Sequence, residues 1–193
     1  MSELKREDLY SLEEYARVRS DFRAQVMAHK KNRQVAVGPN VTLYFEDRLT
    51  MQYQVQEMLR AERIFEPGEI AEELGAYSPL IPDGSNWKAT FMIEFADADE
   101  RKQALAKMVG IEDRTWVQVD DQEKVYAISD EDLERDTEDK TSSVHFMRFE
   151  LTPPMVAAAK EGAAIRVGID HPEYAQAVEV SPGVRDSLTA DLD

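Results

Sequence analysis

The chain predicts an α+β fold, with a mostly antiparallel or mixed sheet of about six to seven strands covered by helices. Three observations lead there. Helical-period and alternating segments are mixed along the chain without a regular strand–helix–strand alternation. Two pairs of adjacent short apolar runs, each split by turn residues, read as hairpins. No dinucleotide fingerprint G-x-G-x-x-G or phosphate loop G-x-x-x-x-G-K-[ST] occurs to support a doubly wound parallel sheet.

The elements follow in order. Ser11-Leu12-Glu13-Glu14 has capping-box spacing, and Leu12, Tyr15, Phe22 and Val26 continue at helical period, predicting a helix over 11–32. Val35-Ala36-Val37 and Val41–Phe45, split by Gly38-Pro39-Asn40, form the first hairpin. Residues 49–65 read as a second helix with Met51, Val55, Met58 and Leu59 inward, and a short third helix covers 69–75, capped by Gly75. A turn-rich loop spans 77–86. Residues 88–95 alternate as a strand, and a helix at 98–109 closes at Gly110. Thr115–Val119 and Lys124–Ile128 form the second hairpin, after which Ser129 is expected to cap a short acidic helix. Ser142–Leu151 is the strongest strand signal. Thr152 caps a helix entered through Pro153-Pro154, Ala163–Ile169 is a further strand, and 183–193 is a terminal helix or a tail.

With 193 residues the chain fits a single domain, 1–193, that buries roughly 70 % of its unfolded surface without staples. It has no cysteine, which removes disulfides, iron–sulfur ligation, haem thiolates and cysteine nucleophiles. The N-terminus lacks the apolar stretch of a signal peptide, and no run approaches the ~20 residues of a membrane span, so a cytoplasmic, non-membrane protein is expected. The net charge of −16 is uneven: residues 1–35 carry 8 basic and 6 acidic groups, whereas residues 94–140 carry 7 basic and 16 acidic. Such a surface repels phosphate backbones and argues against nucleic acid as a partner. The run His29-Lys30-Lys31-Asn32-Arg33 is either a solvated helix end or an anion contact.

Three constellations carry chemistry. On the second helix Gln52, Gln56 and Arg60 are four apart, with Arg63 three later and Arg48 one turn before. They form either a solvated polar face or a network turned toward the sheet, in which arginine forks bind an anion. On the Ser142–Leu151 strand, His145, Met147 and Phe149 share one face, and Val144, Phe146, Arg148 and Glu150 the other. Arg148 and Glu150 then need partners, with Glu94 a candidate. His145 is either a hydrogen-bonded core histidine or a metal ligand or proton carrier, with Glu46, Glu57 or Glu62 able to complete a divalent-metal site. Asp170-His171-Pro172 reads as a turn or as a catalytic pair.

Ala28–Arg33, Leu43–Ile64, Leu80–Gly84, Lys88–Thr90 and Thr141–Leu151 together resemble the bacterial proteins catalogued as domain of unknown function 3501. That resemblance implies no activity and no catalytic residues. It implies a setting beside a rubrerythrin-like di-iron protein and an iron–sulfur oxidoreductase, hence an accessory role in oxidative-stress defence or electron transfer through protein–protein interaction. The alternative is a metal- or anion-dependent enzyme built from the Gln/Arg/Glu helix and His145.

Overall fold

The computed structural model describes residues 3–135, 137 and 139–193. Its helices are α1 (Leu12–Lys30), α2 (Arg48–Glu62), α3 (Pro67–Tyr77), α4 (Ala98–Lys107), α5 (Pro153–Lys160) and α6 (Pro182–Thr189). Its strands are β1 (Gln34–Ala36), β2 (Val41–Glu46), β3 (Asn86–Ile93), β4 (Thr115–Val119), β5 (Val125–Tyr126), β6 (Ile128–Ser129), β7 (Val144–Glu150), β8 (Ile165–His171) and β9 (Tyr174–Glu179). The fold is α+β. In place of one sheet there are two, both antiparallel: β1-β2-β3-β7-β6 and β5-β4-β8-β9.

The second hairpin explains the split. Its returning arm is interrupted at Ala127, so β5 pairs with β4 in the smaller sheet while β6 pairs with β7 in the larger. β9 escapes the sequence reading because Tyr-Ala-Gln-Ala-Val-Glu is an edge strand that buries only Tyr174 and half-buries Val178. Asp170 and His171 end β8, and the turn falls on Pro172-Glu173. Among the described residues Ser129 caps no helix, and the expected short acidic helix is not formed there. Asp130 takes a left-handed φ of 52°, and its carboxylate accepts the Phe146 N–H (3.0 Å), which fixes the chain to β7. Residues 183–193 are no tail: α6 buries Val184 and Leu188, and Leu192 beyond it is also buried.

The sheets face one another across the main core, where Leu43, Phe45, Phe91, Met147 and Phe149 meet Val117, Val119, Ile165, Val167 and Ile169. Two polar ties lock this sandwich. Tyr174 Oη donates to the Val37 carbonyl (2.7 Å) and accepts the Asn40 N–H (3.0 Å), joining β9 to the β1–β2 turn. Gly38 (φ +75°) leaves room there, since a Cβ would stand 2.6 Å from Tyr174 Oη. The Trp87 indole N–H donates to the Leu188 carbonyl (2.9 Å), seating α6 across one end.

The outer face of the five-stranded sheet is covered by α2 and α3. Met51, Val55, Leu59, Ile70 and Ile81 form a second cluster, and α1 adds Tyr15, Phe22 and Val26 against Tyr53. Both long helices begin as their sequences dictate: Ser11 and Glu14 complete a capping box, and Asp47 and Thr50 form the equivalent for α2.

Candidate functional site: a cleft on the outer face of the five-stranded sheet

The polar row of α2 is divided among three jobs. Gln56 is fully buried; its side-chain oxygen accepts the Tyr10 N–H (2.6 Å) and its amide donates to the Tyr10 carbonyl (3.4 Å). Gln52 donates to the Asp8 carbonyl (2.8 Å), and Arg48 pairs with the Asp8 carboxylate (2.6 Å). These three grip the segment before α1. Glu57 receives both nitrogens of the Arg19 fork (2.8 Å each) and the Tyr15 hydroxyl (2.6 Å). Arg19 above all, with Tyr15, lowers its pKa to about 2. Arg60 and Arg63 are exposed, Arg60 over a groove between α1 and α2 and Arg63 as the left-handed cap of α2.

His145 lies on the opposite side of the sheet. It is fully buried on the inner face of β7 beside Phe91. Its Nδ1 stands 2.5 Å from Asp130 Oδ2, and its Nε2 stands 2.8 Å from Thr141 Oγ1 and 3.8 Å from Glu112. The α2 row and His145 therefore do not converge, and the five-stranded sheet separates them. Glu57 sits in the α1–α2 layer, Glu46 on the outer sheet face and His145 inside, so the metal set expected from sequence is not assembled. Among the described residues no group of three or more His, Asp or Glu is placed to hold a metal.

The other histidines are apart as well. His171 is bonded to the Val109 carbonyl (3.0 Å), while Asp170 projects from the other face of β8 and accepts Lys124 (2.9 Å) and the Tyr126 hydroxyl (2.8 Å); the two do not form a pair. His29 stands 2.5 Å from Asp47. The basic run around it is no uniform solvated end. Arg33 is buried and donates to the carbonyls of Phe45 (2.9 Å) and Glu46 (3.1 Å) and, through both terminal nitrogens, to Asp191 (2.6 and 3.2 Å). This hub fixes the β2–α2 junction and so the position of Glu46. Asp191 is pushed up to about 6, because burial outweighs the attraction of Arg33.

Two of the sequence-predicted residues share a row, on either side of Lys88. On the outer sheet face Glu46, Lys88 and Arg148 form one cross-strand row of β2, β3 and β7. The next row is Tyr44, Thr90 and Phe146. These rows floor a cleft roofed by α2, α3 and the turn after it. One lobe, about 370 Å³, is lined by Glu46, Tyr44, Thr90, Gln54, Met51 and Lys30. The other, about 460 Å³, is lined by Lys88, Arg148, Glu131 and Asp132 with Pro79 and Gly75. Tyr77, Leu80 and Phe146 border both.

The polar groups of this floor are held in place. Glu46 accepts the Thr90 hydroxyl (2.8 Å), and Lys88 donates to the Pro79 carbonyl (2.5 Å). Arg148 pairs in a fork with Glu131 (2.8 and 3.0 Å) and with Glu150 (2.6 Å), not with Glu94. Arg148 holds Glu131 below the usual carboxylate range. Lobes of this size, mixed in polarity and partly roofed, suit a small organic ligand or an inserted side chain. Sequence reasoning missed Tyr44, Thr90, Tyr77 and Phe146. The alternation of each strand was readable, but the register that aligns three strands into rows was not.

A crystal structure titled as a novel protein of unknown function from Burkholderia pseudomallei K96243 is 53% identical, covers 100% of each chain and superposes with a TM-score of 0.94. No curated protein matches the chain. The model of a family described as protein of unknown function (DUF3501) matches residues 3–192. The chain belongs to the DUF3501 family.

Proposed function

We propose that this protein is a non-catalytic accessory protein whose recognition element is the cleft over the five-stranded sheet. The observation that carries this reading is the aligned floor. Glu46–Lys88–Arg148 and Tyr44–Thr90–Phe146 offer a charged row beside an apolar one, each polar group already oriented by a neighbour. Pre-oriented groups favour binding, because little side-chain entropy remains to be lost. The cleft lining contains no histidine, and the three histidines are engaged elsewhere.

The partners we propose are redox proteins of the cytoplasm, a rubrerythrin-like protein and an iron–sulfur oxidoreductase, in oxidative-stress defence or electron transfer. The resemblance supplies that setting, and the charge of −16 suits steered docking on a basic protein surface while disfavouring nucleic acid. No helix among the described residues is long and apolar enough to cross a membrane.

The test has two arms. Native mass spectrometry of protein purified from its own host should show a bound small molecule. Phe146→Trp, which fills the junction of the lobes without touching the inner core, should abolish that adduct while the fold persists. Co-precipitation with the two redox proteins should succeed at low salt and weaken at high salt. Failure to bind either protein at any ionic strength, with no adduct on the wild type, would overturn the reading.

A further inference from the structure

The groove between α1 and α2 lies apart from the cleft and carries the opposite charge to the molecule as a whole. It is an open recess of about 590 Å³ lined by Ala16, Arg19, Ser20 and Arg23 of α1 and Arg60 of α2. The four α1 positions are spaced i, i+3, i+4 and i+7, so they form one face of that helix. Asp21, by the same helical phase, projects from the other side of α1.

Three guanidinium groups thus converge in a chain of net charge −16. The carboxylate bonded within the cluster is Glu57, and it is committed: both its oxygens take the Arg19 fork and one also takes the Tyr15 hydroxyl. That contact fixes Arg19 in place. Among the described residues neither Arg23 nor Arg60 has an ion-pair partner. Glu57 lies close enough to Arg60 for its own pKa to be lowered by that charge, yet it balances only one of the three cations. Ala16 and Ser20 keep the floor shallow, and Ser20 adds a hydroxyl donor. Exposed charges beyond about 8 Å are largely screened, and three guanidinium groups outnumber the one bonded carboxylate, so the groove's own groups are net positive.

We infer that this groove is a binding site for a small oxyanion of the phosphate type carrying two or more negative charges. Arg19, its fork held by Glu57, is the fixed anchor through its other terminal nitrogen, and the forks of Arg23 and Arg60 close on the ligand from the two helices. Arginine forks match the tetrahedral oxygens of such a group, and the anion neutralises the excess charge of the cluster. The same chemistry is offered by free diphosphate and by a diphosphate carried on a nucleoside.

Calorimetric titration of the full chain with inorganic pyrophosphate and with ADP, against potassium chloride of matched ionic strength, tests this. Pyrophosphate should bind at one site, and Arg23→Gln and Arg60→Gln should each weaken it tenfold or more. Arg17→Gln, which removes an equal charge from an exposed arginine bonded to Glu13, should change it less than twofold. Equal binding of ADP assigns the site to the diphosphate group wherever it is carried, and loss of affinity with ADP assigns it to the free anion. No heat beyond the chloride control, or an equal effect of all three substitutions, would overturn the inference. Circular dichroism of each variant keeps a folding defect from being read as lost binding.

Discussion

The two faces of the five-stranded sheet carry comparable polar chemistry at very different depth. On β7, His145 points into the sandwich and is wholly enclosed, whereas Arg148, three residues on, points into the cleft and stays partly exposed. Inside, the histidine is bonded to buried Thr141 and to Asp130, which reaches it from the margin of the sandwich. Outside, the pairs Glu46–Thr90 and Arg148–Glu131 border an open cavity, so a ligand can exchange with them at modest cost. A polar group of the inner face is thereby part of the architecture, and one of the outer face is available for recognition. Chemical type alone does not separate the two; an adjoining open cavity does.

The largest effect that can break this contrast is on the inner face. His145→Ala takes one donor from Asp130, which anchors the chain after β6 and keeps Arg135 and the Phe146 N–H, and leaves a cavity where the buried ring stood. Truncating a fully buried ring and losing its hydrogen bonds costs about 2–5 kcal/mol. Denaturant unfolding should show a fall of that size, and a loss under about 1 kcal/mol would mean that water reaches the inner face after all.

pH separates the layers next. In the outer helical layer, Glu57 is held at about 2 by Arg19 and Tyr15, below its unfolded value near 4.3. Its stabilisation is complete above the unfolded value and is lost as pH falls through about 4.3 to 2. At the edge of the sandwich, Asp191 is raised to about 6 by burial, above an unfolded value near 3.9. The native state there holds its proton more tightly, so stability falls as pH rises from about 4 to 6. Urea unfolding across pH 2–7 should show slopes of opposite sign in the two windows. Glu57→Gln should flatten the lower window and cost about 1–2 kcal/mol at neutral pH, discounted for partial exposure. Asp191→Asn should flatten the upper one. Equal slopes in wild type and both variants would mean that neither carboxyl differs between the folded and unfolded states.

Much of the fold was legible because local signals and tertiary need agreed. The Ser11–Glu14 box, the Tyr15–Phe22–Val26 stripe and the alternation of β3 and β7 appear as read. What failed depended on distant partners. Ser129 looks like a helix cap, yet Asp130 beside it is drawn to the β7 backbone and His145, and that contact holds the chain against β7. Gln52 and Gln56 look like part of a site, yet they satisfy the backbone of residues 8–10, which lie more than forty residues earlier. The proposed recognition surface was half visible: Glu46 and Arg148 stood out by charge, but only the register of β2, β3 and β7 sets them in one row with Lys88.

The smallest expected effect is also the most direct comparison, because the same isosteric change can be made on both faces. Thr141→Val takes the hydroxyl from buried His145, where no solvent can stand in, and should cost about 1–3 kcal/mol. Thr90→Val takes the hydroxyl from Glu46 at the cleft, where a water can bridge the carboxylate, and should cost under about 1 kcal/mol. For a chain of this length 1 kcal/mol corresponds to a Tm shift of about 2–4 °C, so calorimetry resolves the pair. The outer variant should weaken binding in the cleft more than it lowers Tm, since Glu46 loses the contact that orients it. A Thr90→Val protein as destabilised as Thr141→Val would show that the outer row is structural too, and would remove the physical basis for treating the cleft as a recognition surface.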